Sequence, residues 1–398
     1  MNILHRFYSR AYQKAFKLIM PLLPWRKPEL IEGGIEALPK VIKEKNIESV
    51  LLVTDKGISS LGLINPLVEG LKKENIKCSV YYKTVPNPTI DNIEEALTVY
   101  KENDCKAIIA FGGGSPMDCA KGIGARVARP NKPVQKMKGV LKVLKSTPPI
   151  FAVPTTSGTG SEATLAAVIT NSDTHEKYPI NDPALIPKYA VLDPKITVKL
   201  PKYITSTTGM DALTHAVEAY IGKSNTSETK EMAEKAVSLI FDNLKRAYDN
   251  PEDLEARKNM QIASYYAGIA FTRAYVGYVH AIAHTLGGFY NTPHGLANAV
   301  ILPYFLDEYG KSIYKSLARL AEVAGIDGEN DEQKCKNFIQ AIKDMNKYMQ
   351  IPEKLDMIKK EDIPLMVKRA DKEANPLYPV PKLFGKSKLE EMFYKIMK

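Results

Sequence analysis

Phe111-Gly-Gly-Gly-Ser-Pro-Met-Asp-Cys-Ala-Lys121 ends the apolar run Ala107–Phe111 and opens a helical pattern, and this transition decides the fold. Ser115 suits a helix N-cap, Pro116 the first helical position, and Asp118 falls three residues after the cap, all local start signals. Three consecutive glycines let a ligand approach the backbone, and a helix N-terminus favours an anion. The expectation is a pyrophosphate site. The spacing fits neither the G-x-G-x-x-G fingerprint nor a P-loop, so taken alone the stretch also reads as a tight strand-to-helix turn.

Outward from this stretch, Ser49–Thr54, Lys77–Tyr82 and Ile150–Val153 are further β-rich runs, with helical Pro66–Glu74 and Ile90–Asn103 between them. Strands alternating with helices from about 30 to 200 predict a mainly parallel α/β sheet. From about Thr205 the character changes. Thr207–Ile221, Thr229–Asp249, Leu254–Thr272, Gly277–Phe289 and Lys311–Ala324 read as helices, and strand signals become rare. The expected organisation is a basic amphipathic arm over 1–29, an α/β domain over 30–200 and an all-helical domain over 201–398, with the boundary near Asp193–Lys202.

A length of 398 residues, 44% hydrophobic and 25% charged, describes a two-domain soluble protein. The four scattered cysteines fit a reducing cytoplasm better than a disulfide framework. Of the net charge of +10, half lies in the arm, where Arg6, Arg10, Lys14, Lys17, Arg26 and Lys27 face only Glu29. No nucleic-acid motif accompanies the charge, so no nucleic-acid partner is expected. The arm itself, with Leu4, Phe7, Tyr8, Phe16 and Ile19, reads three ways: a helix docked on its own protein or a partner subunit, a membrane-surface helix, or a targeting presequence. The docked helix is the expectation, without membrane association.

Three further features carry chemistry. Pro154-Thr-Thr-Ser-Gly-Thr-Gly-Ser-Glu162 follows a strand and holds five hydroxyls and two glycines within nine residues, able to hold phosphate or ribose oxygens; its plainer reading is a polar turn. Asp55 ends the run from Ser49, where a carboxylate accepts from an adenosine ribose and repels the 2′-phosphate of NADP, favouring NAD; its plainer reading is a cap. Gly209-Met-Asp211-Ala-Leu-Thr-His215 puts a carboxylate and an imidazole at i and i+4, on one helix face. His280 and His284 repeat that spacing on a helix apolar nearly all round, and His294 follows on a turn. Asp211, His215, His280 and His294 make an Asp/His₃ set suited to Fe²⁺, Zn²⁺, Mn²⁺ or Co²⁺, with His284 left over. Singly, each histidine reads as a satisfied core residue.

These motifs, with His280-x3-His284-x9-His294-Gly-x2-Asn298, resemble the signatures of the iron-containing (group III) alcohol dehydrogenase family, in order, over roughly residues 30 to 380. The resemblance implies a Rossmann-like dinucleotide-binding domain followed by a helical metal-binding domain, the dehydroquinate synthase-like superfold, with the active site in the cleft between. It implies metal ligands Asp211, His215, His280 and His294, and a proton-relay role for His284. It implies cofactor contacts from Asp55, Asn87, Gly113, Gly114, Ser115, Asp118, Thr155, Thr156, Thr159 and Lys177. The activity implied is NAD-linked (NADP as alternative) interconversion of a small alcohol and aldehyde by an iron-loaded cytoplasmic homodimer or larger oligomer. A glycerol-dehydrogenase-like polyol oxidoreductase and a catalytically silent scaffold are the alternatives. Two departures stand out: the arm is longer than the family core, and Asn375-Pro376-Leu377 replaces the Asn-Pro-Arg of many relatives.

Overall fold

The computed structural model describes residues 3–174 and 176–398, so residues 1 and 2 of the expected arm lie outside the described residues. The strands are β1 (Glu29–Leu30), β2 (Ser49–Asp55), β3 (Lys77–Thr84), β4 (Ala107–Gly112), β5 (Gly139–Val140), β6 (Ile150–Pro154), β7 (Ala166–Asn171), β8 (Glu176–Asn181) and β9 (Tyr189–Ala190). The helices begin with α1 (Ile3–Ile19), α2 (Gly34–Glu44), α3 (Lys56–Ser60), α4 (Asn65–Lys73), α5 (Ile90–Glu102) and α6 (Gly114–Ala128). They continue as α7 (Lys202–Ile221), α8 (Ser227–Asp249), α9 (Leu254–Ala274), α10 (Tyr278–Tyr290), α11 (His294–Tyr309), α12 (Tyr314–Val323), α13 (Asp331–Tyr348), α14 (Ile363–Ala374) and α15 (Lys386–Ile396). Two compact units result: Pro24–Lys199, and Leu200–Lys398 together with the N-terminal segment up to Leu23.

In the first unit six strands form a wholly parallel sheet of order β1-β9-β6-β4-β2-β3. Every residue of β4 and β6 is buried. Strands covered on both faces read as continuous apolar runs, which is why these were legible in the sequence. Alternation of side chains divides the core in two. Leu51, Val53, Ile108 and Ala110 pack with Ile93 of α5 and Ile123 of α6. Val50, Leu52, Ile109 and Phe111 pack with Leu38 of α2 and Leu67 of α4. Helices on both faces give the doubly wound architecture expected.

Chain order reverses between β2 and β4: β2 leads to β3 at one edge, whereas β4 leads to β6 on the other side. In open parallel sheets ligands bind at the carboxyl ends of strands flanking such a reversal. A second sheet, of order β5-β8-β7 with β7 and β8 antiparallel, was not foreseen. Two-residue β5 and Pro179-containing β8 carry too little apolar alternation to be read as strands.

The second unit is helical, and among its described residues the one extended pairing is the bridge Leu355–Met397. Almost every residue of α7 from Thr205 onward is buried. A helix covered nearly all round must give each polar side chain a partner, and the partners define the site below.

Candidate metal centre and dinucleotide loops

Asp211 and His215 project from α7, His280 from α10, and His294 from the first position of α11. One donor atom from each lies within 4.8 Å of the other three. Asp211, His215 and His280 are buried, whereas the His294 side chain is 36% exposed, which leaves one open side. Phe271 of α9 stacks on the His215 ring at 4.0 Å and excludes water from that side.

Residues not assigned a role from the sequence orient this group. The Glu218 carboxylate, two turns along α7 from Asp211, accepts from His280 Nδ1 at 2.6 Å and from the backbone N–H groups of Gly277 (2.8 Å) and Val279 (3.0 Å). Burial pushes the Glu218 carboxyl up to about 7, against the pull of those hydrogen bonds. Burial, then the neighbouring His215, His294 and His284 rings, holds His280 well below the ordinary histidine range. His280 is therefore neutral, with its Nδ1–H donating to Glu218 and its Nε2 lone pair turned inward. Asn298 Nδ2 donates to Asp211 Oδ1 at 2.7 Å and lies 3.1 Å from Nε2 of both His280 and His294. A carboxylate oxygen and two imidazole nitrogens already facing one buried amide are the convergence a divalent cation needs. One carboxylate and three imidazoles, without thiolate, fit such an ion.

His284 stands beside this group, its ring stacked on His294 at 5.2 Å. Its Nδ1 bonds Glu373 of α14 at 2.6 Å, and Tyr378 Oη donates to the same carboxylate oxygen at 2.7 Å. Asn375, at the sequence departure, accepts from the buried Tyr278 hydroxyl at 2.9 Å and so braces α10. Glu373 and Tyr378 carried no sequence signal, because their partner lies 89 residues away for Glu373 and neither belongs to a spaced motif.

In the α/β unit, Asp55 ends β2, Gly113 follows β4 and Thr155 follows β6, three adjacent parallel strands. The loops thus share the carboxyl edge at the reversal. Helix α6 starts two residues earlier than expected, with Gly113 at the N-cap and no side-chain cap. Ser115 is not the cap because its Oγ accepts instead from the Asn87 N–H at 3.2 Å. An N-terminus without a side-chain cap presents its amides to an anion. A Cβ on Gly113 would touch Thr156 at 3.4 Å, and one on Gly114 would meet Thr159 Cγ2 at 3.2 Å. The two loops therefore form one tight cradle. Lys177 of β8 donates to Asn87 Oδ1 at 2.6 Å. Asp55 Oδ1 caps α3 by accepting from Ile58 N at 2.9 Å, so the plainer reading of that residue describes one of its oxygens.

Asp118 faces inward. Its oxygens accept from the Ser161 hydroxyl (3.2 Å) and Val168 N–H (3.1 Å), tying α6 to the second loop. Beside it the fully buried Lys121 ammonium donates to Ser161 Oγ (3.0 Å), Thr164 Oγ1 (3.0 Å) and the Ala166 carbonyl (2.8 Å). Burial pushes Asp118 up to about 6 and Lys121 down to about 8. Lys121→Met keeps the stem but leaves Asp118 without its cation, and is expected to cost about 3 kcal/mol of stability. Urea unfolding followed by circular dichroism measures this; an unchanged midpoint would remove Lys121 from the loop-bracing role.

Two family models cover the chain: "Iron-containing alcohol dehydrogenase" matches residues 30–194, and "Fe-containing alcohol dehydrogenase family, C-terminal" matches residues 205–397. Alcohol dehydrogenase 4 of Saccharomyces cerevisiae is 38% identical over 341 residues, 85% of this chain and 88% of that protein. The NAD-dependent methanol dehydrogenase of Bacillus methanolicus is 36% identical over 342 residues, 85% of this chain and 90% of that one. The crystal structure of a 1,3-propanediol oxidoreductase superposes with a TM-score of 0.89 at 34% identity, covering 94% of this chain and 98% of that one.

Proposed function

This chain belongs to the iron-containing alcohol dehydrogenase family, and from that premise we propose that it interconverts a small primary alcohol and its aldehyde with NAD, using a divalent ion held by Asp211, His215, His280 and His294. The observation that carries this reading is the approach of those four donor atoms to within 4.8 Å of one another. The names of the relatives run from methanol to 1,3-propanediol, which supports a small substrate. Iron is the ion we propose, and Asp55 is the reason for NAD over NADP. No helix among the described residues is long and apolar enough to cross a membrane. With the scattered cysteines, that supports a cytoplasmic enzyme, which we take to be a homodimer or larger.

When bound, the ion would supply Lewis acidity for the substrate oxygen, and hydride transfer would be the nicotinamide's chemistry. The protein's part lies in its own residues. Glu218 holds the His280 Nδ1–H, so that Nε2 would be the atom left to hold the ion. Asn298 orients the Asp211 carboxylate, and Phe271 keeps water from the His215 ring. His284, with Nδ1 held by Glu373, presents Nε2 as the atom that exchanges the substrate proton. In the cradle, Gly113, Gly114, Ser115, Thr155, Thr156 and Thr159 take the pyrophosphate, with Asn87 and Lys177 alongside and Asp118 bracing from behind.

Iron-loaded enzyme is expected to consume NADH in step with loss of a short aldehyde from a C2–C6 panel of aldehydes and diols. Metal-replete protein inert toward the whole panel would overturn the assignment and favour the silent-scaffold alternative. Cofactor choice has its own test. Asp55→Asn keeps the α3 cap, since asparagine caps as well as aspartate, but removes the charge. The ratio of kcat/KM for NADP over NAD is expected to rise about tenfold, the worth of about 1.4 kcal/mol of relieved repulsion. An unchanged ratio would reduce Asp55 to a helix cap.

A further inference from the structure

Helix α1 docks in an inverted sense. An amphipathic surface helix ordinarily buries its apolar stripe and shows its polar face to water. Here the buried residues of α1 are Ser9 and Gln13, and of its large apolar side chains half-buried Phe16 packs inward, edge-on to Tyr275 at 5.3 Å. Gln13 Nε2 donates to the carbonyls of Pro376 (3.0 Å) and Tyr378 (2.7 Å), and Arg10 donates to those of Val380 (2.7 Å) and Pro381 (3.0 Å). Lys17 donates to the Lys223 carbonyl at 2.9 Å. The opposite face, Leu4, Phe7, Tyr8, Leu18 and Ile19, continues into Leu22 and is 54–82% exposed. The docked-helix expectation therefore accounts for the polar face and leaves the apolar one unexplained, and contiguous apolar surface on this scale marks an interaction site.

Charge selects the occupant. From Ile3 to Pro28 the chain has no acidic residue, while exposed Lys14 borders the apolar face and exposed Arg6 stands in the first turn of the helix, on the side of Ser9 and Gln13. Two copies packing α1 against α1 would bring these cations together with no carboxylate on either helix to offset them. A bilayer carrying anionic headgroups offers the complement on both counts: acyl chains for the apolar face and phosphates for Lys14 at its border and Arg6 at the exposed end of the helix. We propose that α1 lies in the plane of an anionic membrane surface and tethers the enzyme there peripherally, through a face on the side of the helix away from the one that docks.

The test uses the full chain in co-flotation with phosphatidylcholine vesicles, with and without phosphatidylglycerol. Wild type is expected to float with the anionic vesicles and to be released by high salt. Phe7→Ser with Leu18→Ser should weaken binding at least about tenfold, from the loss of buried apolar surface, with turnover unchanged as the control for folding. Arg6→Gln with Lys14→Gln should abolish the preference for anionic over neutral vesicles, each cation contributing about fivefold. Absence of flotation, or flotation indifferent to the Phe7/Leu18 pair, overturns the proposal. So does a halved mass by light scattering for the Phe7/Leu18 variant, which would seat a second copy on this face.

Discussion

His280→Ala is expected to lose the metal and the turnover together. Purified variant should contain metal well below stoichiometry by elemental analysis, and kcat/KM should fall on the order of a thousandfold, because Lewis-acid stabilisation contributes several kcal/mol and each 1.36 kcal/mol is tenfold. The reason lies in the position of the ring. His280 is buried and neutral, with Nδ1 committed to Glu218 and Nε2 facing Asp211, His294 and Asn298. Alanine removes one of four donors from a set whose remaining members cannot close around the gap, since Asp211 and His215 are fixed on α7 and His294 on α11. Circular dichroism should stay near wild type, because the Glu218 carboxylate keeps the Gly277 and Val279 amides as partners. Full metal content and full activity in this variant would falsify the ligand assignment.

Glu218→Gln should weaken metal affinity by about 10- to 100-fold while leaving the four ligands in place. The carboxylate serves three donors at once: the His280 imidazole and two backbone N–H groups. Glutamine has one oxygen and an NH₂, so at least one of those donors would face another donor in a buried site. The His280 ring would then lose the partner that holds its proton on Nδ1. Competition against a graded chelator reads the affinity directly, and kcat at saturating metal should move less than the affinity does. Gly277→Ala is a steric companion, since its Cβ would come within 2.5 Å of Glu218 Oε1 and displace the carboxylate without removing it. If both variants bind metal as tightly as wild type, Glu218 is packing and nothing more.

How much of this was legible follows from the range of the forces. The sequence by itself determined what depends on neighbours along the chain. Continuous apolar runs such as β4 mark strands covered on both sides. The i, i+4 spacings of Asp211 with His215 and of His280 with His284 must share a helix face whatever the fold. The glycine-rich stretch after β4 likewise showed locally as a strand-to-helix turn.

What tertiary structure alone decided is everything set by contacts between distant residues. Strand order brought the ends of β2, β4 and β6 side by side. The tertiary fold joined Glu218 of α7 to His280 of α10 across 62 residues, and Glu373 of α14 to His284 across 89. The pull of Asn87 on Ser115 moved the start of α6, and hydrogen bonds to the 376–381 carbonyls turned the apolar face of α1 outward against its own pattern. A local pattern records which face of a helix is apolar. Which face is buried depends on what the rest of the chain presents to it, and that information is not local.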